Sequence, residues 1–207
     1  MHKKTIGLIL AGGYARRFGG RKALSLLKGK PLLLWVRETI APLCTEVWLS
    51  LRDPKQAEAS LKTYFDRVIW DPFPGAGPLS GLLGGLRELA PNEALLVVSC
   101  DQPLLQASLL HKLQDIFNTG NYWVVFCLNR KNEPEPLPGV YGKELREHLE
   151  KYLCAGRKSF REWLKTLPPE KILGLPFEIW YSLDKKGLSF LNINFRKDLE
   201  EVERILH

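Results

Sequence analysis

The chain has 207 residues, of which 45% are hydrophobic, and a formal net charge of +7. This length and composition suit one globular domain that can bury a full core. The lysines and arginines are spread along the chain without a block of five or more. That distribution argues against nucleic acid as a partner and favours phosphorylated small molecules as ligands.

The cysteine spacing and the first apolar run predict a cytoplasmic protein. The four cysteines are far apart and form no C-x-x-C pair, which argues against a zinc site or a redox pair. Cys100 and Cys127 lie in apolar runs, so we expect buried free thiols in a reducing compartment. The apolar run at residues 6–10 is too short for a signal peptide core or a membrane span. We therefore expect no membrane partner.

Residues 1–128 alternate between predicted strands and helices. In chain order, the hydrophobic patterns predict a strand at 6–10, a helix at 32–43, a strand at 47–51, a helix at 54–64, a strand at 68–70, a helix at 79–89, a strand at 95–100, a helix at 105–117 and a strand at 123–128. This alternation is typical of α/β proteins, in which a mostly parallel sheet carries helices on both faces.

The pattern is less regular after residue 128. Residues 130–138 are rich in proline and charge and predict a loop. The patterns that follow predict a short strand at 138–141, helices at 143–153 and 159–167, strands at 177–182 and 190–193, and a closing helix at 196–206. No internal repeat or linker interrupts the chain, so residues 1–207 are interpreted as a single domain with a variable C-terminal third.

A glycine-rich, basic motif follows the first predicted strand and has the sequence LAGGYARRFGGRK over residues 10–22. Glycines allow backbone N–H groups to approach an anion closely. Arg16, Arg17 and Lys22 add the positive charge that a nucleoside triphosphate tail requires. The motif matches neither the P-loop nor the dinucleotide-binding fingerprint. The alternative interpretation is an ordinary glycine-rich turn with a solvated basic helix face.

Two aspartates follow predicted strands at the edge where ligands bind in open parallel sheets. Asp101 comes directly after the strand at 95–100 and is suited to hold Mg²⁺. The alternative is an N-cap for the following helix. Asp71 follows the strand at 68–70 and precedes a proline- and glycine-rich segment at 72–79 that could line a flat ring. The alternative is an ordinary turn aspartate.

No general base can be placed beside these residues, because the histidines lie at the termini or on predicted helices. A phosphate monoester as acceptor needs none, since its second pKa is about 6 and it is mostly dianionic at neutral pH. Catalysis then reduces to aligning two anions and neutralising their charge. We therefore interpret Arg17, Lys22 and Asp101 as the candidate catalytic residues.

Taken together, these motifs resemble those of the molybdenum cofactor guanylyltransferases, which belong to the broader family of sugar-nucleotide and cofactor nucleotidyltransferases. The similarity covers most of the chain: the opening motif at 10–23, GKPL at 29–32, Asp71 with GPLSGL at 77–82, CDQP at 100–103, PLP at 136–138 and NIN at 192–194. It implies a three-layer αβα fold with a Rossmann-like, mostly parallel sheet of the nucleotide-diphospho-sugar transferase type.

The resemblance also implies a reaction and its site. GMP would pass from GTP to the terminal phosphate of molybdopterin, which gives the guanine dinucleotide form of the molybdenum cofactor and pyrophosphate. The N-terminal part would bind the nucleotide and the C-terminal third the acceptor, with other cofactor-biosynthesis proteins and apo-molybdoenzymes as expected partners. The implied GTP-binding residues are Leu10, Ala11, Gly12, Gly13, Lys22, Asp71 and Asp101; Asp101 would also hold Mg²⁺, and Asn192 and Asn194 would bind the pterin.

The chain departs from the family pattern at three places. Arg21 replaces the aspartate that often precedes the motif lysine. Ser50 stands where a close relative would place a nucleotide-contacting asparagine, so the resemblance leaves the role of Ser50 open. Phe195-Arg196 replaces the usual Thr-Pro after the asparagine motif, which weakens the predicted start of the last helix.

Two alternatives remain open at this point. One is a related nucleotidyltransferase that uses CTP or a sugar 1-phosphate acceptor, against which the LAGG and PLSG segments favour guanine. The other is a non-catalytic carrier that delivers the cofactor to apoenzymes. The presence of both Lys22 and Asp101 favours catalysis.

Overall fold

The computed structural model describes residues 3–12, 22–52 and 63–206. The motif residues Gly13, Arg16 and Arg17 and nearly all of the helix predicted at 54–64 lie outside these ranges. Within these ranges, no helix is long and apolar enough to cross a membrane.

A seven-stranded sheet forms the centre of the described part of the chain. Seven of the nine strands in the described residues belong to it. The nine strands are β1 (Lys4–Leu10), β2 (Leu26–Leu27), β3 (Lys30–Pro31), β4 (Glu46–Leu51), β5 (Arg67–Trp70), β6 (Glu93–Ser99), β7 (Val124–Leu128), β8 (Pro134–Gly142) and β9 (Ile172–Leu175). The sheet order is β5-β4-β1-β6-β8-β7-β9, and β2 and β3 form a separate antiparallel pair. Neighbouring strands are parallel except where β8 pairs with β6 and β7, which confirms a mostly parallel sheet.

Helices cover both faces of this sheet. They are α1 (Leu32–Ile40), α2 (Pro78–Glu88), α3 (Ala107–Thr119), α4 (Arg146–Cys154), α5 (Phe160–Leu164), α6 (Phe177–Leu183) and α7 (Arg196–Ile205). Along β1, Leu8 packs in the layer that contains α2, α4 and α5, whereas Ile9 packs in the layer that contains α1, α3 and α6. Because successive side chains of a strand point to opposite faces, a strand covered on both sides requires a continuous apolar run. The three-layer arrangement confirms the predicted fold class.

Strand β8 corrects the loop predicted at 130–138 and extends the short strand predicted at 138–141. Its prolines made the segment look irregular in the sequence. β8 pairs with β6 only between Gly139 and Gly142, so the proline-containing half lies beyond the end of that pairing. On the other side, the pairing with β7 shifts register between Phe126 and Cys127. Proline is tolerated at such positions because no ladder hydrogen bond from its nitrogen is required.

The C-terminal third contains two further corrections. The strand predicted at 177–182 is helix α6, and its aromatic residues Phe177, Trp180 and Tyr181 have the i, i+3, i+4 spacing of one helical face. The Trp180 indole N–H donates to the Leu128 carbonyl at 2.7 Å, which ties the helix to the end of β7. The true strand, β9, lies just before α6 and was not predicted.

The strand predicted at 190–193 is also absent among the described residues, where a 3₁₀ turn at Leu188–Phe190 precedes an irregular segment. The buried carboxylate of Asp184 holds this turn by accepting from the backbone N–H groups of Leu188 and Ser189 at 2.9 and 2.8 Å. The strand pair β2–β3 was also not predicted. Other differences are at helix ends: α3 is displaced by two residues from its predicted bounds, and α5 ends at Leu164.

Helix α2 packs unusually close to the sheet through its glycines. A Cβ atom placed on Gly84 would lie 2.8 Å from Ile69 Cγ2 and 2.9 Å from the Trp70 carbonyl oxygen, and one on Gly85 would lie 2.7 Å from Leu8 Cδ2. The glycines that weaken this helix by propensity are therefore what allows its close approach. This approach holds the start of α2 over the carboxyl ends of the neighbouring strands.

We predict that Gly84→Ala destabilises the protein, although alanine is the better helix former by about 1 kcal/mol. The new methyl would meet a backbone carbonyl that cannot rotate away, and overpacking of this kind costs about 1–3 kcal/mol. Urea unfolding measures the difference in the free energy of unfolding.

Glu88→Ala in the same helix serves as the control. Glu88 is half-exposed and its ion pair with Arg67, at 2.8 Å, is also half-exposed. Such pairs contribute less than about 1 kcal/mol, so this variant should unfold close to the parent. A stability gain in Gly84→Ala would show that packing does not require the glycine.

Candidate active site

Four strands end side by side at one edge of the sheet and place the candidate residues there. Backbone hydrogen bonds continue the ladders one residue past the strands: Ala11 N–H to Ser50 O at 2.9 Å, Asp71 N–H to Leu51 O at 3.0 Å, and Cys100 N–H to Leu10 O at 3.1 Å. Because β1 lies between β4 and β6, Asp71 and Asp101 emerge on opposite sides of the glycine-rich motif. This is the edge at which the sequence predicted a ligand site.

A cavity of about 360 Å³ opens at this edge. This volume lies in the range of small-molecule sites. Leu10, Gly12 and Asp71, all predicted from the sequence to contact a nucleotide, line it, and Ala11 lies between the first two. The other lining residues come from β4, the start of α2, the end of β6 and the start of β8: Ser50, Arg52, Gly75, Gly77, Pro78, Gly81, Ser99 and Leu137.

The Asp71 carboxylate is the acidic group of this cavity. The Ser50 hydroxyl donates a hydrogen bond to Asp71 Oδ1 at 3.0 Å. Burial raises the pKa of the Asp71 carboxyl to about 6, against the opposing effects of the Ser50 hydrogen bond and the Arg52 charge. Asp71 is therefore not an ordinary turn aspartate. The sequence left the role of Ser50 open, but it contains one signal: Ser50 is a polar residue inside the apolar run of β4.

Asp101 follows the cavity-lining residue Ser99 by two positions, and it forms an ion pair with Lys22. The Lys22 ammonium lies 2.6 Å from Asp101 Oδ2, and only 16% and 18% of the two side chains are exposed. The alternative role of Asp101 as a helix cap is wrong, because α3 begins at Ala107 with Gln106 as its N-cap residue. Two residues predicted to be catalytic are thus in direct contact.

Asp101 also has an oxygen that suits a metal. Asp101 Oδ1 is buried, and no described residue donates a hydrogen bond to it. Across the described ranges, no group of three or more His, Cys, Asp or Glu side chains could hold a metal together. A single carboxylate is nevertheless enough for Mg²⁺, which is commonly held by one or two carboxylates together with substrate phosphates. The residues present therefore fit this ion.

The two asparagines predicted to bind the acceptor have different partners. Asn194 Oδ1 accepts a hydrogen bond from the Lys22 ammonium at 3.0 Å, whereas the amide of Asn192 is exposed and donates to the Phe190 carbonyl at 3.1 Å. Between them, the Ile193 N–H donates to the Asp101 carbonyl at 2.9 Å. The segment is not the strand that would turn both amides to one side, but it does lie against the Lys22–Asp101 pair.

Helix α7 begins at Arg196 with Phe195 as its N-cap residue, and the Phe195 side chain makes no cap hydrogen bond. Asp198 Oδ2 accepts hydrogen bonds from the N–H groups of Asn194 and Phe195 at 2.7 and 2.8 Å. A carboxylate from the first turn thus satisfies two backbone donors that lie just before the helix.

Cys100 is a buried free thiol beside Asp101, as predicted. Burial raises the pKa of its thiol to about 12. It is therefore neutral at physiological pH and unsuited to act as a nucleophile. Cys127 is likewise buried and free.

Comparison with known proteins identifies the family. The chain matches the family model of the MobA-like NTP transferase domain over residues 7–171. A protein of Carboxydothermus hydrogenoformans named "Probable molybdenum cofactor guanylyltransferase" is 32% identical over 197 residues, which cover 95% of this chain and 94% of that protein. The molybdenum cofactor guanylyltransferase of Ectopseudomonas mendocina is 33% identical over 172 residues, which cover 78% of each chain.

A solved structure agrees with these sequence matches. The crystal structure of molybdopterin-guanine dinucleotide biosynthesis protein A from Archaeoglobus fulgidus has a TM-score of 0.83 to this chain at 29% identity, and the superposition covers 97% of this chain and 98% of that one. With a family match over most of its length and relatives above 30% identity, the chain belongs to the MobA-like NTP transferase family of nucleotidyltransferases.

Proposed function

We propose that this enzyme transfers GMP from GTP to the terminal phosphate of molybdopterin, with or without bound molybdenum, and releases pyrophosphate. The observation that carries the proposal is the arrangement at the sheet edge. Ser99 lines a base-sized cavity that contains the Asp71 carboxylate. Asp101 lies two residues further along the chain and is paired with Lys22. The names of the relatives at 32% and 33% identity support the same substrates.

The Asp71 carboxylate suits guanine among the common bases. Guanine presents two neighbouring donors, N1–H and the 2-amino group, on its pairing edge, whereas adenine and cytosine present an acceptor nitrogen there. An ionised carboxylate accepts hydrogen bonds and donates none. Because Oδ1 already accepts from Ser50, Oδ2 is the oxygen with the greater capacity for the base.

The catalytic task that we assign to the chain is electrostatic. The acceptor phosphate is mostly dianionic at neutral pH, with a second pKa of about 6, so no proton has to be removed from it. Lys22, and Arg17 outside the described residues, would neutralise the triphosphate and the incoming phosphate and hold them in line. Mg²⁺ held by Asp101 would supply further positive charge at the phosphates.

The four cysteines are free, in keeping with a cytoplasmic location.

Pyrophosphate release tests the proposal directly. The purified enzyme is incubated with Mg²⁺ and GTP, ATP, CTP or UTP, each with and without molybdopterin. We expect pyrophosphate only from GTP with molybdopterin, and a product that contains both the pterin and GMP by mass spectrometry. Preferential use of CTP would identify a cytidylyltransferase, and nucleotide binding without any release would identify a carrier.

Asp101→Asn is expected to lose metal-dependent turnover, because the amide keeps the shape of the side chain but not its charge. Charge-assisted contacts of this kind contribute about 1.5–3 kcal/mol, or one to two decades in affinity. Electron paramagnetic resonance of Mn²⁺ in the presence of GTP measures metal binding apart from catalysis. Cooperative urea unfolding should persist in the variant.

Asp115→Asn is the matched control, since Asp115 is exposed on helix α3. It should bind Mn²⁺ and turn over like the parent. Normal metal binding by Asp101→Asn would place the metal on other residues.

Separate substitution of Asn192 and Asn194 should distinguish the part of the site that binds molybdopterin from the part that binds GTP. We expect Asn192→Ala to raise the Kd for molybdopterin only, and Asn194→Ala to raise the Kd for both molybdopterin and GTP, because Asn194 also orients Lys22. Loss of one hydrogen bond weakens binding about two- to tenfold. Isothermal titration calorimetry measures both affinities, and unchanged molybdopterin binding in both variants would move the acceptor site elsewhere.

A further inference from the structure

We infer that Ser50 is a positioning residue for Asp71: its hydroxyl holds the carboxylate ionised and turned so that one oxygen serves the base, and it thereby sets the preference for guanine near neutral pH. This inference rests on the proposed function, in which the cavity receives the base of GTP. The sequence resemblance leaves the role of Ser50 open, and the names of the relatives assign it none.

The backbone of Ser50 is fixed on both sides. In the sheet register it lies between Leu10 of β1 and Ile69 of β5, and its carbonyl accepts from the Ala11 N–H at 2.9 Å. Its polar side chain is buried in a strand whose neighbouring residues on both sides are apolar core residues. A buried hydroxyl requires a partner, and the partner here is Asp71 Oδ1 at 3.0 Å.

Two glycines leave the space that this hydrogen bond needs. A Cβ atom on Gly81 would overlap with Ser50 Oγ and would lie 3.3 Å from Asp71 Oδ1. A Cβ atom on Gly12 would lie 3.1 Å from Asp71 Oδ2. Gly81 of α2 thus lies beside one carboxylate oxygen, and Gly12, after β1, lies beside the other. Ser50 satisfies Oδ1 and leaves Oδ2 for the base.

The charges around Asp71 show what removal of the hydroxyl would do. Among the described residues that line the cavity from β1, β4, α2, β6 and β8, Arg52 is the only charged side chain besides Asp71. Burial raises the pKa of the Asp71 carboxyl to about 6, and Ser50 and Arg52 both lower it. Without the Ser50 hydroxyl, Asp71 would be protonated to a higher pH.

Protonation would change the recognition of the base. A protonated carboxyl becomes a donor, which opposes the two donors on guanine and suits the acceptor nitrogen of adenine. Affinity for GTP should therefore rise with pH as Asp71 ionises near pH 6 and level off above it. In the absence of Ser50 that rise moves to higher pH.

The test compares Ser50→Ala with the parent, with Ser50→Cys as a variant of similar shape and weaker donor strength. Ser182→Ala is the control, since Ser182 is exposed on helix α6, donates to the Ile179 carbonyl of its own helix and does not line the cavity. Carbon-13 NMR of labelled aspartate in the ligand-free enzyme gives the titration midpoint of Asp71, and calorimetry gives the Kd for GTP and ATP across the same pH range.

We expect the Asp71 midpoint to move upward from about pH 6 in Ser50→Ala, by less in Ser50→Cys, and not in Ser182→Ala. The preference for GTP over ATP at neutral pH should fall about tenfold in Ser50→Ala, as expected for loss of a hydrogen bond to a charged group. An unchanged midpoint and pH profile in Ser50→Ala would overturn the inference. If the parent instead prefers another nucleotide, the proposed function fails, while the NMR midpoint still decides whether Ser50 controls the ionisation of Asp71.

Discussion

The parallel pairing of β1 with β4 on one side and β6 on the other fixes the positions of the candidate residues at the sheet edge. Each strand delivers its functional residue within two positions of its last ladder hydrogen bond. Asp71 reaches the same edge because β5 pairs with the far side of β4. The site thus inherits its geometry from backbone pairing, and the side chains add charge and hydrogen-bonding capacity to a frame that is already set.

The first half of the fold could be predicted from the sequence because its strands are buried on both faces, and such strands are continuous apolar runs. The second half could not be predicted as well, because its elements contain conflicting local signals. The prolines of β8 indicate a loop until the pairing partners are known. The aromatic residues of α6 favour a strand by propensity, yet their spacing fits a helix, and the contact of Trp180 with Leu128 decides between them.

In the candidate site, too, the sequence predicts what depends on neighbouring residues and misses contacts between residues far apart in the chain. Asp71 and Asp101 could be found because a polar residue directly after a buried strand is a local pattern. The contacts that hold them could not, because Ser50 is 21 residues from Asp71 and Lys22 is 79 residues from Asp101. No spacing rule connects residues so far apart. The sequence therefore predicts which residues carry charge at the site, and the fold shows what holds each of them in place.

The long separation between Lys22 and Asn194 also affects the order in which the chain folds during translation. The strands that build the sheet edge are synthesised first, and N-terminal regions generally begin to fold before the remainder of a chain has emerged. Yet Ile193 and Asn194 contact Asp101 and Lys22, so these contacts form only after residue 194 has left the ribosome. Until then the nascent chain lacks the C-terminal contacts of the Lys22–Asp101 pair, so the candidate site is completed late, when only helix α7 remains to be synthesised.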